Sequence, residues 1–204
     1  MKRDELLKAI QACDWEFSDA DTQYLTHNIH RYSGKFIPQI AGKAMELLTE
    51  PKDLVLDSYM GSGTTLLEAL LRDRNSVGVD LNPLAVLISK VKTSTVSPDD
   101  LKEIYAELIA YVDSLYSDGQ LSWMLRPFDE DRIREQIEKN EWRLHDAWNT
   151  KWYQPDVLHQ LVQIYSCLET IENEKAKNIA LVAFSNILRR SSNASSKYPN
   201  VMYD

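Results

Sequence analysis

The stretch from Leu54 to Thr65 limits the folds open to this chain more than any other part of it. A short run of β-forming residues ends in an acid at Asp57, passes through Gly61 and Gly63, and enters a helical pattern at Leu66, Leu67 and Leu70. That pattern predicts a strand, a tight loop and a helix. The glycines let the backbone approach a ligand closely, and the helix N-terminus offers unpaired N–H groups. A second strand-like run, Ser76-Val77-Gly78-Val79-Asp80, follows and also ends in an acid. Two strands around one helix predict a βαβ unit over residues 53–80. Asp80 then stands at the carboxyl end of a strand, where an open α/β sheet holds a nucleoside ribose.

The loop itself narrows the ligand. A phosphate-cradling Walker loop ends in Gly-Lys-Ser/Thr, whereas Gly63 is followed by Thr64 and Thr65, which argues against ATP. The dinucleotide fingerprint needs a third small residue where this sequence has Leu66, which disfavours NAD. What remains is a shorter Asp-x-x-x-Gly-x-Gly loop with an acid closing the next strand. It suits S-adenosylmethionine (SAM), which carries a ribose diol and an amino-acid end but no pyrophosphate. Asp80 is placed to accept both ribose hydroxyls, each charge-assisted bond contributing roughly 1.5–3 kcal/mol. Asp57 either orients the loop or meets the amino group.

These residues resemble the exocyclic-amino DNA methyltransferases, which methylate cytosine N(4) or adenine N(6). Asp57-Ser58-Tyr59-Met60-Gly61-Ser62-Gly63-Thr64-Thr65 is similar to the family's Asp-Pro-Phe-x-Gly-Ser-Gly-Thr-Thr, with Ser58 and Tyr59 in place of Pro-Phe. Gly78-Val79-Asp80-Leu81-Asn82-Pro83-Leu84-Ala85 matches Gly-Ile-Asp-x-Asn-Pro-x-Ala, and His30-Arg31-Tyr32-Ser33-Gly34-Lys35-Phe36-Ile37-Pro38 resembles a segment that packs beside SAM. A later stretch, residues 183–194, resembles a helix and loop that precede the catalytic segment in some members. The resemblance implies SAM as cofactor, held by Lys35, Phe36, the nine residues from Asp57 to Thr65, Asp80, Leu81 and Asn82. It implies a partial Rossmann-like methyltransferase fold of class α/β, with few parallel strands, a βαβ core and a helical C-terminal region.

The rest of the chain supplies little further chemistry. Residues 1–96 are expected to form the SAM-binding region, 97–190 a helical region and 191–204 a flexible tail. Helices are expected over 4–12, from Phe36 to Pro51 with Ile37, Ile40, Ala41, Ala44, Leu47 and Leu48 on one face, and from Pro83 with Leu84, Leu87, Ile88 and Val91 inward. Ser97-Pro98-Asp99-Asp100 is a helix start, with Ser97 as cap. A charged segment at 129–146 and two amphipathic segments, 155–171 and 174–190, follow, the last with Ile179, Val182, Ala183 and Leu188 inward. His27 and His30 have no third ligand nearby, so no metal site is expected. Trp123, Trp142, Trp148, Trp152 and Tyr153 suit burial better than base stacking, and Arg189-Arg190 suits either a solvated helix end or a phosphate. Cys13 and Cys167 read as reduced thiols, and with no apolar run of transmembrane length the expected setting is soluble and cytoplasmic, away from membranes.

Two features bound the function. The 204 residues contain no Pro-Pro, although the resembling family's catalytic loop is Asp/Asn/Ser-Pro-Pro-Tyr/Phe; no catalytic residue is therefore assigned. The chain carries a net charge of −8, with 11 Lys and Arg against 13 Asp and Glu in residues 1–96 and 12 against 18 thereafter. A chain so acidic is poorly equipped to hold nucleic acid alone. The expectation is the SAM-binding part of a DNA methyltransferase, completed by a second subunit that carries the catalytic loop and target recognition, with DNA bound through the complex. The alternatives are a portion of a longer single-chain enzyme, a catalytically inert SAM-binding regulatory subunit, and part of an RNA or small-molecule methyltransferase.

Overall fold

In the computed structural model, residues 3–116 and 151–194 are described. The charged segment at 129–146, Trp123, Trp142, Trp148 and the tail beyond Ala194 lie outside them. Backbone contacts divide the chain into two units, Met1–Thr95 and Val96–Asp204.

The first unit runs α1 (Arg3–Ala12), a 3-10 turn (Leu25–Asn28), α2 (Pro38–Leu48), β1 (Leu54–Asp57), α3 (Thr64–Leu71), β2 (Asn75–Gly78) and α4 (Pro83–Thr93). The expected βαβ unit is present. β1 and β2 pair in parallel, with Leu54 opposite Asn75 and Asp57 opposite Gly78. They are the strands of the one sheet found among the described residues. β2 ends earlier than the sequence suggests. The Val79 carbonyl leaves the ladder to accept the Met60 N–H at 3.1 Å, so the chain turns toward the glycine loop.

Strand alternation sorts the sheet's two faces. On one, Val55 packs against Ala41, Met45 and Ala69 of α2 and α3. On the other, Leu54 and Leu56 are 68% and 67% exposed, and Val77 and Val79 are about half exposed. Parallel sheets are ordinarily covered on both faces, so an apolar bare face is an unusual property of this unit.

Two helices bury faces that overlap the expected ones only in part: Ala41 on α2 and Ile88 and Val91 on α4 are buried as expected, and the rest differ. In α2 the buried residues are Pro38, Ala41, Gly42 and Met45, while Leu48 is 59% exposed. Small residues face inward because Glu68 of α3 and Arg72, just past its end, cross there: a Cβ on Gly42 would lie 2.2 Å from an Arg72 nitrogen. The helix starts at Pro38 and not Phe36, because a proline disfavours helical backbone at the residue before it. In α4 the buried residues are Ala85, Ile88, Ser89, Val91 and Lys92, with Leu84 and Leu87 only half-buried. That face packs on the glycine loop and needs small or polar side chains.

The second unit contains α5 (Pro98–Tyr116), α6 (Pro155–Thr170) and α7 (Glu174–Leu188). The predicted start of α5 forms a reciprocal capping box: Asp100 N–H donates to Ser97 Oγ at 3.0 Å, and Ser97 N–H to Asp100 Oδ2 at 3.2 Å. Ile104, Leu158, Leu161, Val162, Leu168, Ala176, Ala180 and Val182 are buried. Ala183, expected inward on α7, is exposed, because the packed stripe runs through Ala176 and Ala180. Trp152 and Tyr153 are half-buried. The first tail residues are held in place, with Asn193 N–H donating to the Trp152 carbonyl at 2.7 Å. Among the described residues no helix is long and apolar enough to cross a membrane.

Candidate functional site

The glycine loop lies where β1 hands over to α3. Asp57, the last residue of β1, accepts the Tyr59 N–H at 3.1 Å and so sets the first bend. Ser58 and Tyr59 are exposed, Tyr59 at 89%, whereas Met60 turns inward and is buried. Gly61 and Gly63 both adopt positive φ, 51° and 76°. The two glycines do different work. A Cβ on Gly61 would only touch the Tyr32 ring, at 3.4 Å, whereas one on Gly63 would fall 2.6 Å from Ser89 Oγ. Gly63 is thus required by the packing of α4, and close approach to a ligand is a reason for Gly61 alone. Ser62 and Thr64 are buried, and Thr65 is half-buried.

Asp80 ties the second strand to this loop. Its Oδ2 accepts the Gly61 N–H at 2.9 Å, and its Oδ1 accepts the Asn82 N–H at 2.8 Å. A carboxylate has about four lone-pair sites, so one on each oxygen stays available to a diol. Leu81 is fully exposed beside it. Asn82 caps α4 by accepting the Leu84 N–H at 3.0 Å, and its amide also reaches the Tyr32 hydroxyl at 3.4 Å.

The segment around residue 30 closes over the same place. Lys35 is exposed but fixed by a bond from Nζ to the His27 carbonyl at 2.9 Å, and Phe36 is 43% exposed. Beneath the loop, Ser89 Oγ donates to the Gly61 carbonyl at 3.1 Å and Lys92 Nζ donates to Ser62 Oγ at 3.2 Å. Burial, and then the nearby charge of Lys35, push the Lys92 ammonium down to about 8. His30 is also held below its ordinary value, by burial and secondarily by Lys92.

A separate buried network anchors this segment. Glu68, fully buried on α3, accepts the Tyr24 hydroxyl, lies 2.8 Å from His27 Nε2 and pairs with Arg72 at 2.6 Å. Burial opposes the Glu68 charge, but His27, Tyr24 and Arg72 together hold its pKa below the ordinary value. Tyr24 is pushed up by its burial and by Glu68. His27 is therefore engaged in a buried hydrogen-bond network, and no cluster able to hold a metal exists among the described residues.

The structure thus brings Asp57–Thr65, Asp80, Leu81 and Asn82 to one end of the sheet. It adds two residues that sequence reasoning left out of the site. Tyr32 stood inside the quoted 30–38 segment, which was a usable signal. Lys92 is a lysine on the inward stripe of α4, a signal visible only once that stripe is known.

The stretch that holds these residues is similar to known proteins. Residues 8–91 match the model of the N6/N4 DNA methylase family, which runs from α1 into α4. The type II methyltransferase M.MvaI of Kocuria varians is 31% identical over 183 residues, 87% of this chain and 37% of that protein. M.MjaII, a type II methyltransferase of Methanocaldococcus jannaschii, is 24% identical across 86% of this chain and 43% of its own length. M.BglI of Bacillus subtilis, also a type II methyltransferase, is 36% identical over 64 residues, 31% of this chain and 18% of that protein. The chain therefore spans about two fifths of the first two relatives. No solved structure matches it. Over residues 8–91, the chain is similar to the DNA methylases that act on exocyclic amino groups.

Proposed function

We propose that this chain is the SAM-binding part of a DNA methyltransferase acting on the exocyclic amino group of adenine or cytosine, and that a second polypeptide supplies the Pro-Pro-aromatic catalytic loop. The observation that carries the reading is the loop tied at both ends: Asp57 shapes its start, and Asp80 clamps Gly61 while keeping acceptor capacity. SAM, when bound, supplies a methyl group activated on sulfonium. Asp80 would hold the ribose, exposed Leu81 would offer an apolar surface to the base, and Asp57 would stand toward the amino-acid end. Lys35, Phe36, Asn82 and the Ser58–Thr65 loop would complete the walls.

The bare sheet face supports the second half of the proposal. Leu54, Leu56, Val77 and Val79 form an apolar surface of the kind that further elements of a Rossmann-like sheet cover. The acidic balance agrees, because a net charge of −8 leaves most phosphate contacts to another surface. Base and methyl donor must be held in line for transfer, and orientation supplies much of the rate. The test is labelled-methyl transfer to DNA by the chain alone and with a candidate partner carrying the loop. SAM binding without transfer, converted to transfer by the partner, is expected; efficient transfer by the chain alone refutes the division.

The absence of Pro-Pro from these 204 residues also favours a second reading, a SAM-binding subunit that regulates a complete partner. Asp80→Ala separates the two. It should weaken SAM by about 10–100-fold, or about 1.4–2.8 kcal/mol, in both cases. Activity of the complex falls with it only if this chain holds the reacting cofactor.

A further inference from the structure

Lys92 is a buried cation without an anion. It is 3% exposed, lies on the inner face of α4, and forms no ion pair among the described residues. Of its three N–H donors, one is used, on Ser62 Oγ at 3.2 Å. Ser62 is itself 2% exposed, and because its oxygen accepts from Lys92, its own O–H points elsewhere, with no acceptor among the described residues. A buried charge and a buried donor left this way cost free energy unless something pairs them. The neighbours do not offset the charge: Lys35 repels it, and His30, held below its ordinary value, supplies no negative charge. The backbone around it is fixed, since Thr26 Oγ1 donates to the Lys92 carbonyl at 2.8 Å.

We propose that Lys92 and Ser62 form the seat for the carboxylate of SAM's amino-acid end. The inference rests on the SAM reading and deepens it. The carboxylate accepts from the Lys92 ammonium and from the Ser62 hydroxyl, supplying the missing counter-charge and the missing acceptor together. Burial and the nearby Lys35 lower the ammonium's hold on its proton, as expected of a buried cation with no anion beside it. Asp57 and Asp80, at the strand ends, remain for the cationic and hydroxyl groups of the ligand, so a zwitterion meets charges of both signs.

The test is equilibrium binding of SAM and of decarboxylated SAM to the full chain, wild type and variants. Wild type should prefer SAM by about 10- to 30-fold, the worth of one buried charge-assisted contact. Lys92→Met should bind decarboxylated SAM as wild type does and lose the preference. Ser62→Ala, which introduces no new bulk, should reduce the preference several-fold and serves where Lys92→Met does not fold. Equal binding of the two ligands by wild type overturns the proposal while leaving the SAM reading intact. So does a preference that survives in the folded variants. Failure of wild type to bind either ligand overturns the SAM reading itself.

Discussion

Glu68 shows how a single side chain orders this unit. One fully buried carboxylate gathers Tyr24, His27 and Arg72, so it fixes the N-terminal turn against α3. Removing one partner of such a network leaves others uncompensated, and Glu68→Ala is expected to cost about 3–5 kcal/mol in denaturant unfolding. The pH dependence follows from the lowered pKa of Glu68. Its contribution is complete above 4.5, the ordinary value, and is lost as pH falls through the lower folded-state value. Glu68→Gln should therefore flatten the acid limb of the melting temperature below that pH while lowering the plateau above it. An unchanged acid limb would show that other carboxylates govern it.

At the scale of elements, the loop's shape is decided by the helix behind it. Gly63 has φ of 76° and a Cβ there would strike Ser89 Oγ. Gly63→Ala is expected to cost about 1–3 kcal/mol, from strain in left-handed backbone and the forced shift of α4. Gly34→Ala, with φ of 79° but open space around it, pays the backbone part alone and should cost less in the same thermal melts. The βαβ unit, with Asp57 closing β1 and Asp80 two residues past β2, was legible in the sequence, because these positions follow from neighbours along the chain. The packed faces of α2 and α4 were legible only at Ala41, Ile88 and Val91. Apolar periodicity pointed to Leu48, Leu84 and Leu87, whereas burial is set by an Arg72–Glu68 pair crossing one helix and a glycine loop lying on the other. Lys92 and Glu68 escaped for the same reason: Ser62 lies 30 residues from Lys92, and Tyr24 and His27 lie 44 and 41 residues from Glu68.

At the scale of the whole chain, the feature that matters is the exposed apolar face of the first unit's sheet. Leu56, 67% exposed, contributes little to this chain's own packing. Leu56→Ser is therefore expected to change its stability by less than about 0.5 kcal/mol, the range for surface substitutions. If a second polypeptide completes the sheet, the same change should weaken the complex measurably in titration calorimetry. Equal affinity of wild type and variant would place the partner elsewhere.

The bond from Gly61 to Asp80 carries a kinetic consequence. Because the glycine loop is pinned to the end of β2 by the protein's own carboxylate, its ordering does not wait for a ligand. Association then has no preceding isomerisation to gate it, and the observed stopped-flow rate should rise linearly with SAM concentration without levelling off.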